Sequence, residues 1–323
     1  MEYQAAANEY LVGAMSGAMT PLFTVAVPYH SGLAYLRAAV ESVFRQTCVQ
    51  WRLLVLDDSD DGDACEELVR SYGDERITYV RNAVRLGLAG NFNAGLDLAG
   101  TDLVSILHAD DELTPEYVDD MLALAQRHAQ AALFFCDAVT IDAGGNVIPS
   151  LRERWKRFIR PPGPEIVLEG ERAFELLARG NFIMCPTVCF RRSAIGSLRF
   201  SPEQGMVVDL DFWTRAILSG KQIIGIDKKD YRYRRHTGSH TALLSSQLER
   251  YRHEHAIYCA MAAQARARGW LRAERIARRA NVIKLSLAFD VAADLASGRV
   301  ADSLRKAAFL KALCFASCDA GER

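Results

Sequence analysis

The amino-acid sequence predicts an α/β fold: a doubly wound, mostly parallel central sheet flanked by helices, with a C-terminal helical extension. Three observations carry that expectation. Short apolar runs alternate with stretches of helical periodicity through the first 140 residues, as βαβ units with right-handed crossovers require. Each of the first four apolar runs ends in a polar cluster, and ligands of such sheets bind beyond the carboxyl ends of the strands. From residue 246 onward the strand-like runs stop and helical patterns take over.

Taken in order, "FTVAV" (23–27) is a buried strand, and "GLAYLRAAVESVFRQ" (32–46) a helix with Ser31 as its N-cap. "WRLLVLD" (51–57) and "DACEELVRSY" (63–72) form the second strand and helix; "RITYVRN" (76–82) and "LAGNFNAGLDLA" (88–99) form the third pair. "DLVSILH" (102–108) is strand four, followed by "PEYVDDMLALAQRHA" (115–129), with Pro115 near the first turn. "AALFFCDAVT" (131–140) is a fifth strand. "RERWKRFIRPPGP" is expected to be an exposed basic loop, and helices and strands then alternate less regularly to about residue 245. The organisation expected is a leader over 1–20, a catalytic unit over 21–245 divided near 140, and helices over 246–323, the last of them 303–317 with Arg305, Lys306 and Lys311 beside an apolar stripe.

Of the 323 residues 50% are apolar, and 39 lysines and arginines nearly balance 40 aspartates and glutamates. No global charge draws the chain to nucleic acid. The eight cysteines are scattered, and the pairs Cys185/Cys189 and Cys314/Cys318 lack zinc spacing; reduced thiols and a cytoplasmic location are expected. No window has the eighteen or more apolar residues of a membrane span.

The polar clusters define the candidate site. Asp110, Asp111 and Glu112 arrive together after strand four. Such acids fit a divalent-cation site, a helix cap or a solvated turn; hard cations want oxygen ligands and remove the mutual repulsion. Glu112 is assigned to the first turn of the following helix. Asp57 and Asp58 sit at the tip of strand two, where a carboxylate accepts a hydrogen bond from a base imino group or a ribose hydroxyl. Neither a dinucleotide fingerprint nor a P-loop is present, so phosphate bound here needs a metal to carry much of its charge.

The ordered set "TVAVPYHSGLAYLRAAVESVFRQT", "LLVLDDSDDGD", "RNAVRLGLAGNFNAGLDLAGTDLVSILHADDEL" and "VVDLDFWTRAI" resembles the family 2 glycosyltransferases of GT-A fold, over about 22–240. The resemblance implies that Pro28 and Tyr29 shape the base loop, that Asp58 receives the imino hydrogen, and that Arg85, Asn91 and Asn93 line the nucleotide-sugar site. It implies Asp110 on the ribose or metal and Asp111 on Mn²⁺ or Mg²⁺. Two departures stand out: His108 occupies the place of the leading Asp, and Val208 that of a Glu. Asp209 then matches the general base, with Asp211 in reserve. The segment "YRYRRHTGSHT" (231–241) resembles the family's loop that closes over the diphosphate; in it Arg234 or Arg235 would grip phosphate, and His236 is a candidate third ligand. The activity implied is inverting, metal-dependent transfer of a sugar from a nucleotide-diphosphate donor, a UDP-sugar first, to a hydroxyl of a glycan or lipid-linked glycan. A catalytically inactive sugar-nucleotide-binding or assembly protein is the alternative. A nucleotidyltransferase would need a Gly-rich phosphate loop that "PYHSG" lacks. For the helices beyond 245, a homodimer interface, a cap over the acceptor cleft and a peripheral contact with the inner face of the membrane all stay open.

Overall fold

The computed structural model describes residues 20–236 and 248–315; all but one residue of the expected leader, Ser239 and residues 316–317 lie outside them. Eleven strands are present among these residues: β1 (Phe23–Tyr29), β2 (Trp51–Asp57), β3 (Ile77–Arg81), β4 (Leu103–Ile106), β5 (Glu112–Leu113), β6 (Leu133–Phe135), β7 (Ala138–Ile141), β8 (Glu165–Leu168), β9 (Val188–Arg191), β10 (Ile223–Ile226) and β11 (Tyr231–Arg234). The helices are α1 (Leu33–Phe44), α2 (Ala64–Arg70), α3 (Gly87–Leu98), α4 (Tyr117–Arg127), α5 (Leu151–Ile159), α6 (Gly170–Arg179), α7 (Arg192–Ile195), α8 (Val208–Leu218), α9 (Leu248–Ala267), α10 (Leu271–Arg279), α11 (Asn281–Ala296) and α12 (Val300–Phe315).

Eight strands form the main sheet in the order β3-β2-β1-β4-β9-β6-β10-β8. All run the same way except β9 and β8. The register places Val25 beside Leu53 and Ser105, so β1 lies between β2 and β4 at the centre of the βαβ half. Successive strand side chains point to opposite faces. Phe23, Val25, Val27, Leu53 and Val55 therefore pack under α1, α2 and α4. Ala26, Leu54 and Leu56 enter a second core with Phe92 and Leu96 of α3 and Trp213 of α8. That second core takes in Tyr251, Ala277, Leu287 and Leu313, so the C-terminal helices share it with the sheet. No described helix is long and apolar enough to cross a membrane.

Several local expectations need correction. The predicted fifth strand is two, because the chain leaves the main sheet at Cys136 and Asp137 and enters a small sheet of order β5-β11-β7. The basic segment after Ser150 is helix α5: the Ser150 hydroxyl accepts from the Glu153 amide and caps it, and the prolines come only after Arg160. "YRYR" is a strand, since Tyr231 and Tyr233 pair with Ala138 and Thr140 of β7. Gly32, left-handed at φ 91°, precedes α1 where Ser31 was expected to cap. Cys48, Cys65, Cys136, Cys185, Cys189 and Cys314 are free, but Cys259 is disulfide-bonded, which overturns the expectation that all eight are reduced.

One glycine has a packing reason. A Cβ on Gly225 of β10 would run into the Phe135 ring of the neighbouring β6. Gly225→Ala is expected to destabilise the fold by about 1–3 kcal/mol, the usual effect of overpacking a filled core, measured by urea unfolding; unchanged stability would refute the contact.

Candidate active site

The carboxyl ends of β1, β2 and β4 lie along one edge of the sheet. Because β9 is antiparallel to β4 and β6, its amino end, preceded by the 181–187 segment, lies on that same edge. The polar clusters after these strands are thereby gathered on one rim, along with whatever bonds the 181–187 segment.

Asp58 is buried and holds a loop. Its Oδ1 accepts from the Leu86 amide at 2.8 Å and Asn82 Nδ2 at 2.9 Å, and its Oδ2 from the Gly87 amide at 2.9 Å. The carboxylate thus satisfies amides at the start of α3, which has no other side-chain cap. Asn91 donates to the Leu56 carbonyl and accepts from Asn82, and Asn93 makes paired bonds to the Phe200 backbone. Both asparagines are fully engaged by protein groups. Arg85 is half exposed on the rim, 3.0 Å from Asp60 and from His30. Pro28 is partly buried. Tyr29 is buried and donates to Asp61; burial and that carboxylate push its hydroxyl above the usual range, so it stays a donor. Asp57 accepts from the Tyr79 hydroxyl at 2.6 Å and the Ser59 amide at 2.9 Å.

The three acids after β4 divide. Glu112 belongs to β5 and pairs with Arg234, Arg232 and Arg45, rather than serving the first turn of α4. Asp111 has no solvent exposure; its Oδ2 accepts from the Tyr231 hydroxyl at 2.8 Å and its Oδ1 from the Arg234 amide at 2.7 Å. Burial, then the nearby Asp110 charge, pushes the Asp111 carboxyl well above the usual range. Asp110 is a third exposed and accepts from His236 Nε2 at 3.1 Å. His108 stacks on Phe92, with Nδ1 3.7 Å from Asp111 Oδ2. Burial lowers the His108 pKa against the opposing pull of Asp110, so the imidazole is neutral and able to ligate. One ligand atom each from His108, Asp110 and Asp111 lie within 4.8 Å of one another. The residue that had counted as a departure, His108, thus completes the cluster, and its place two residues before Asp110 was the available signal.

Arg234 is buried, and its guanidinium donates to the carbonyls of Asp110, Asp142 and Ala143 and to Glu112. In this arrangement it clamps the 110–112 segment instead of facing solvent. His236 packs against Tyr35 beside the cluster.

Asp209 opens α8 on the same rim. Asn181 Nδ2 donates to its Oδ2 at 2.8 Å and the Leu210 amide to its Oδ1 at 2.7 Å. Burial raises its pKa, against the Leu210 amide, the Lys156 charge and Asn181. Asp211 is held by Arg215 at 2.7 Å. Val208 is buried in the core, so no second acid stands beside Asp209 at that position. Asn181 and Lys156 were missed in the sequence, because only the fold brings them to Asp209.

A mostly parallel sheet thus carries an acid-and-imidazole cluster and, separately, the partly buried Asp209 on one rim. The model of the family "Glycosyl transferase family 2" matches residues 24–196, more than half of the chain, and the chain belongs to that family. An uncharacterized glycosyltransferase of Methanocaldococcus jannaschii is 22% identical over 217 residues, 66% of this chain and 71% of the relative. Among solved structures, S. aureus TarS 1–349 in complex with UDP-GlcNAc has a TM-score of 0.57 at 19% identity, over 75% of this chain and 66% of that one. The mannosyltransferase PcManGT from Pyrobaculum calidifontis, in complex with GDP-Man and Mn²⁺, has a TM-score of 0.57 at 16% identity, over 97% of this chain and 88% of that one. At these identities the two structures establish the fold.

The bonds made by Asp58 have a consequence for stability without any ligand. Asp58→Asn is expected to cost about 2 kcal/mol by leaving buried amides of the 82–87 loop unsatisfied, measured by urea unfolding of the protein without nucleotide; wild-type stability would contradict its role as anchor.

Proposed function

We propose that the protein is an inverting, divalent-metal-dependent glycosyltransferase that moves a sugar from a UDP-sugar to a hydroxyl of a glycan or lipid-linked glycan. The observation carrying this reading is the convergence of His108, Asp110 and Asp111, on the rim that also bears Asp209. A neutral imidazole with two carboxylates is a donor set suited to Mn²⁺ or Mg²⁺, and Glu112 is withdrawn from it by arginines. Bound there, the ion would supply positive charge to a leaving diphosphate, the charge development that enzymes most need to stabilise.

The chain's own residues do the rest. The wall of the base pocket is formed by Pro28, Tyr29 and the loop that Asp58 anchors, with Arg85 as its exposed cation and Asn91 and Asn93 fixing the helix behind it. Asp110 would meet the ribose or the metal, and Asp111 would be the buried ligand. His236 orients Asp110 through its Nε2 bond and stands by as a further ligand; Arg234 holds the loop carbonyls in place, and its phosphate contact is indirect. Asp209 takes the proton of the acceptor hydroxyl as that oxygen attacks the sugar from the face opposite the diphosphate. Asn181 and the Leu210 amide aim its carboxylate, and a pKa raised by burial makes it a stronger base than an exposed aspartate. With Asp211 neutralised by Arg215, Asp209 is the acid of α8 assigned to proton transfer. The donor complexes of TarS and the archaeal mannosyltransferase support a nucleotide-sugar substrate here by likeness of fold.

Asp209→Asn is expected to lower kcat for transfer by roughly 10²–10⁴-fold while donor binding stays within about twofold. Because Asp209 must be ionised and its folded pKa is raised, kcat/KM should climb with pH through a limb above the ordinary aspartate range. A pH–rate profile and donor titration check both; full activity in the Asn variant would rule out this base.

A further inference from the structure

Helix α5 is the feature that the transferase reading leaves unused. Trp155 and Phe158 on it are 47% and 80% exposed and stack at 5.8 Å. Arg154 and Arg157 are exposed on the same helix. Solvated aromatics interleaved with cations mark a helix that lies in a membrane interface. One such signal gives only weak attachment, and stable docking takes two.

The second signal adjoins it. Arg179 of α6 and Arg272, Arg275 and Arg279 of α10 line one groove, along with Asn281 and Val282. Glu175 pairs with Arg272 and Arg179 at 3.2 and 3.5 Å, whereas Arg275 and Arg279 have no acidic partner among the described residues. Helix and groove are continuous: the place a Cβ on Gly180 would take is crowded by Ile159 of α5 and Val282 of α11. The expected membrane helix, α12, fits less well, because Lys306 is buried and bonds Asp294 at 2.7 Å.

We propose that α5, the end of α6 and α10 form a face that seats the protein on an anionic phospholipid bilayer. Trp155 and Phe158 enter the interface, and Arg275 and Arg279 hold lipid phosphates. Ile159 of α5 packs at Gly180, next to the Asn181 that bonds Asp209, so the docked face adjoins the proton acceptor, and the acceptor is drawn from lipid-borne glycans. That last clause rests on the function proposed above; the docking does not.

The full chain is to be sedimented with phosphatidylcholine vesicles with and without phosphatidylglycerol, and its tryptophan emission followed with brominated lipid. Trp51 and Trp213 are buried and Trp270 partly so, which makes Trp155 the reporter. Binding to anionic vesicles only, weakened by salt, with quenched emission is expected. Phe158→Ser and the pair Arg275→Glu, Arg279→Glu should each lower partitioning about tenfold or more, with circular dichroism and donor hydrolysis in solution unchanged. Several results would overturn the proposal: no vesicle binding, equal binding by the variants, saturation by inorganic phosphate without vesicle binding, or a dimer dissociated by Phe158→Ser. Vesicle binding intact with donor hydrolysis absent would instead sink the transferase reading and leave the docking face standing.

Discussion

Asp111 is a carboxylate with no exposure to water, and the site is organised around that cost. A buried carboxyl group is tolerated only where hydrogen bonds or opposite charge meet it. The Tyr231 hydroxyl and the Arg234 amide meet one oxygen each. Both come from β11, which exists as a strand because β5 and β7 flank it. The small sheet is therefore the support of the loop that carries Asp110 and Asp111, and the Arg234 guanidinium fastens the Asp110 carbonyl. Three arginines draw Glu112 away, so the consecutive acids face different partners and their repulsion is not concentrated in one place.

The same economy shapes the other end of the rim. Asp58, Asn91 and Asn93 have the residue types expected of ligand contacts, yet each is bonded to backbone. They define a wall from which Arg85 and His30 reach outward. Asp209 is partly buried, and burial there raises the affinity of the carboxylate for a proton. Two carboxylates, Asp111 and Asp209, are both raised by burial but differ in their neighbours: a second acid and an imidazole in one case, an amide side chain and a lysine charge in the other.

Much of this was legible in the sequence. The βαβ half follows directly from apolar runs and helical periods, and β2 was placed to the residue. The polar clusters marked the rim because strand ends in such sheets are where ligands sit. Three kinds of feature escaped. Short strands such as β5 and β11 owe their existence to partners far along the chain, so "YRYR" read as a loop. In helix α5 the charge and the prolines that follow it mask the Ser150 cap, so its sequence has the look of a loop. Partners of functional groups, Asn181 and Lys156 for Asp209, are brought near by the tertiary fold alone. His108 is visible in the sequence as the loss of the usual acid, yet an imidazole is itself a competent ligand.

The central claim is that His108, Asp110 and Asp111 form one divalent-cation site. Its most direct test is a Mn²⁺ titration followed by electron paramagnetic resonance, in which the free-ion signal falls as the ion is bound. One site is expected in the wild type, lost in Asp111→Asn and weakened at least about tenfold in His108→Ala, with both variants folded by circular dichroism. Mn²⁺ binding that is equal in all three proteins would contradict the account.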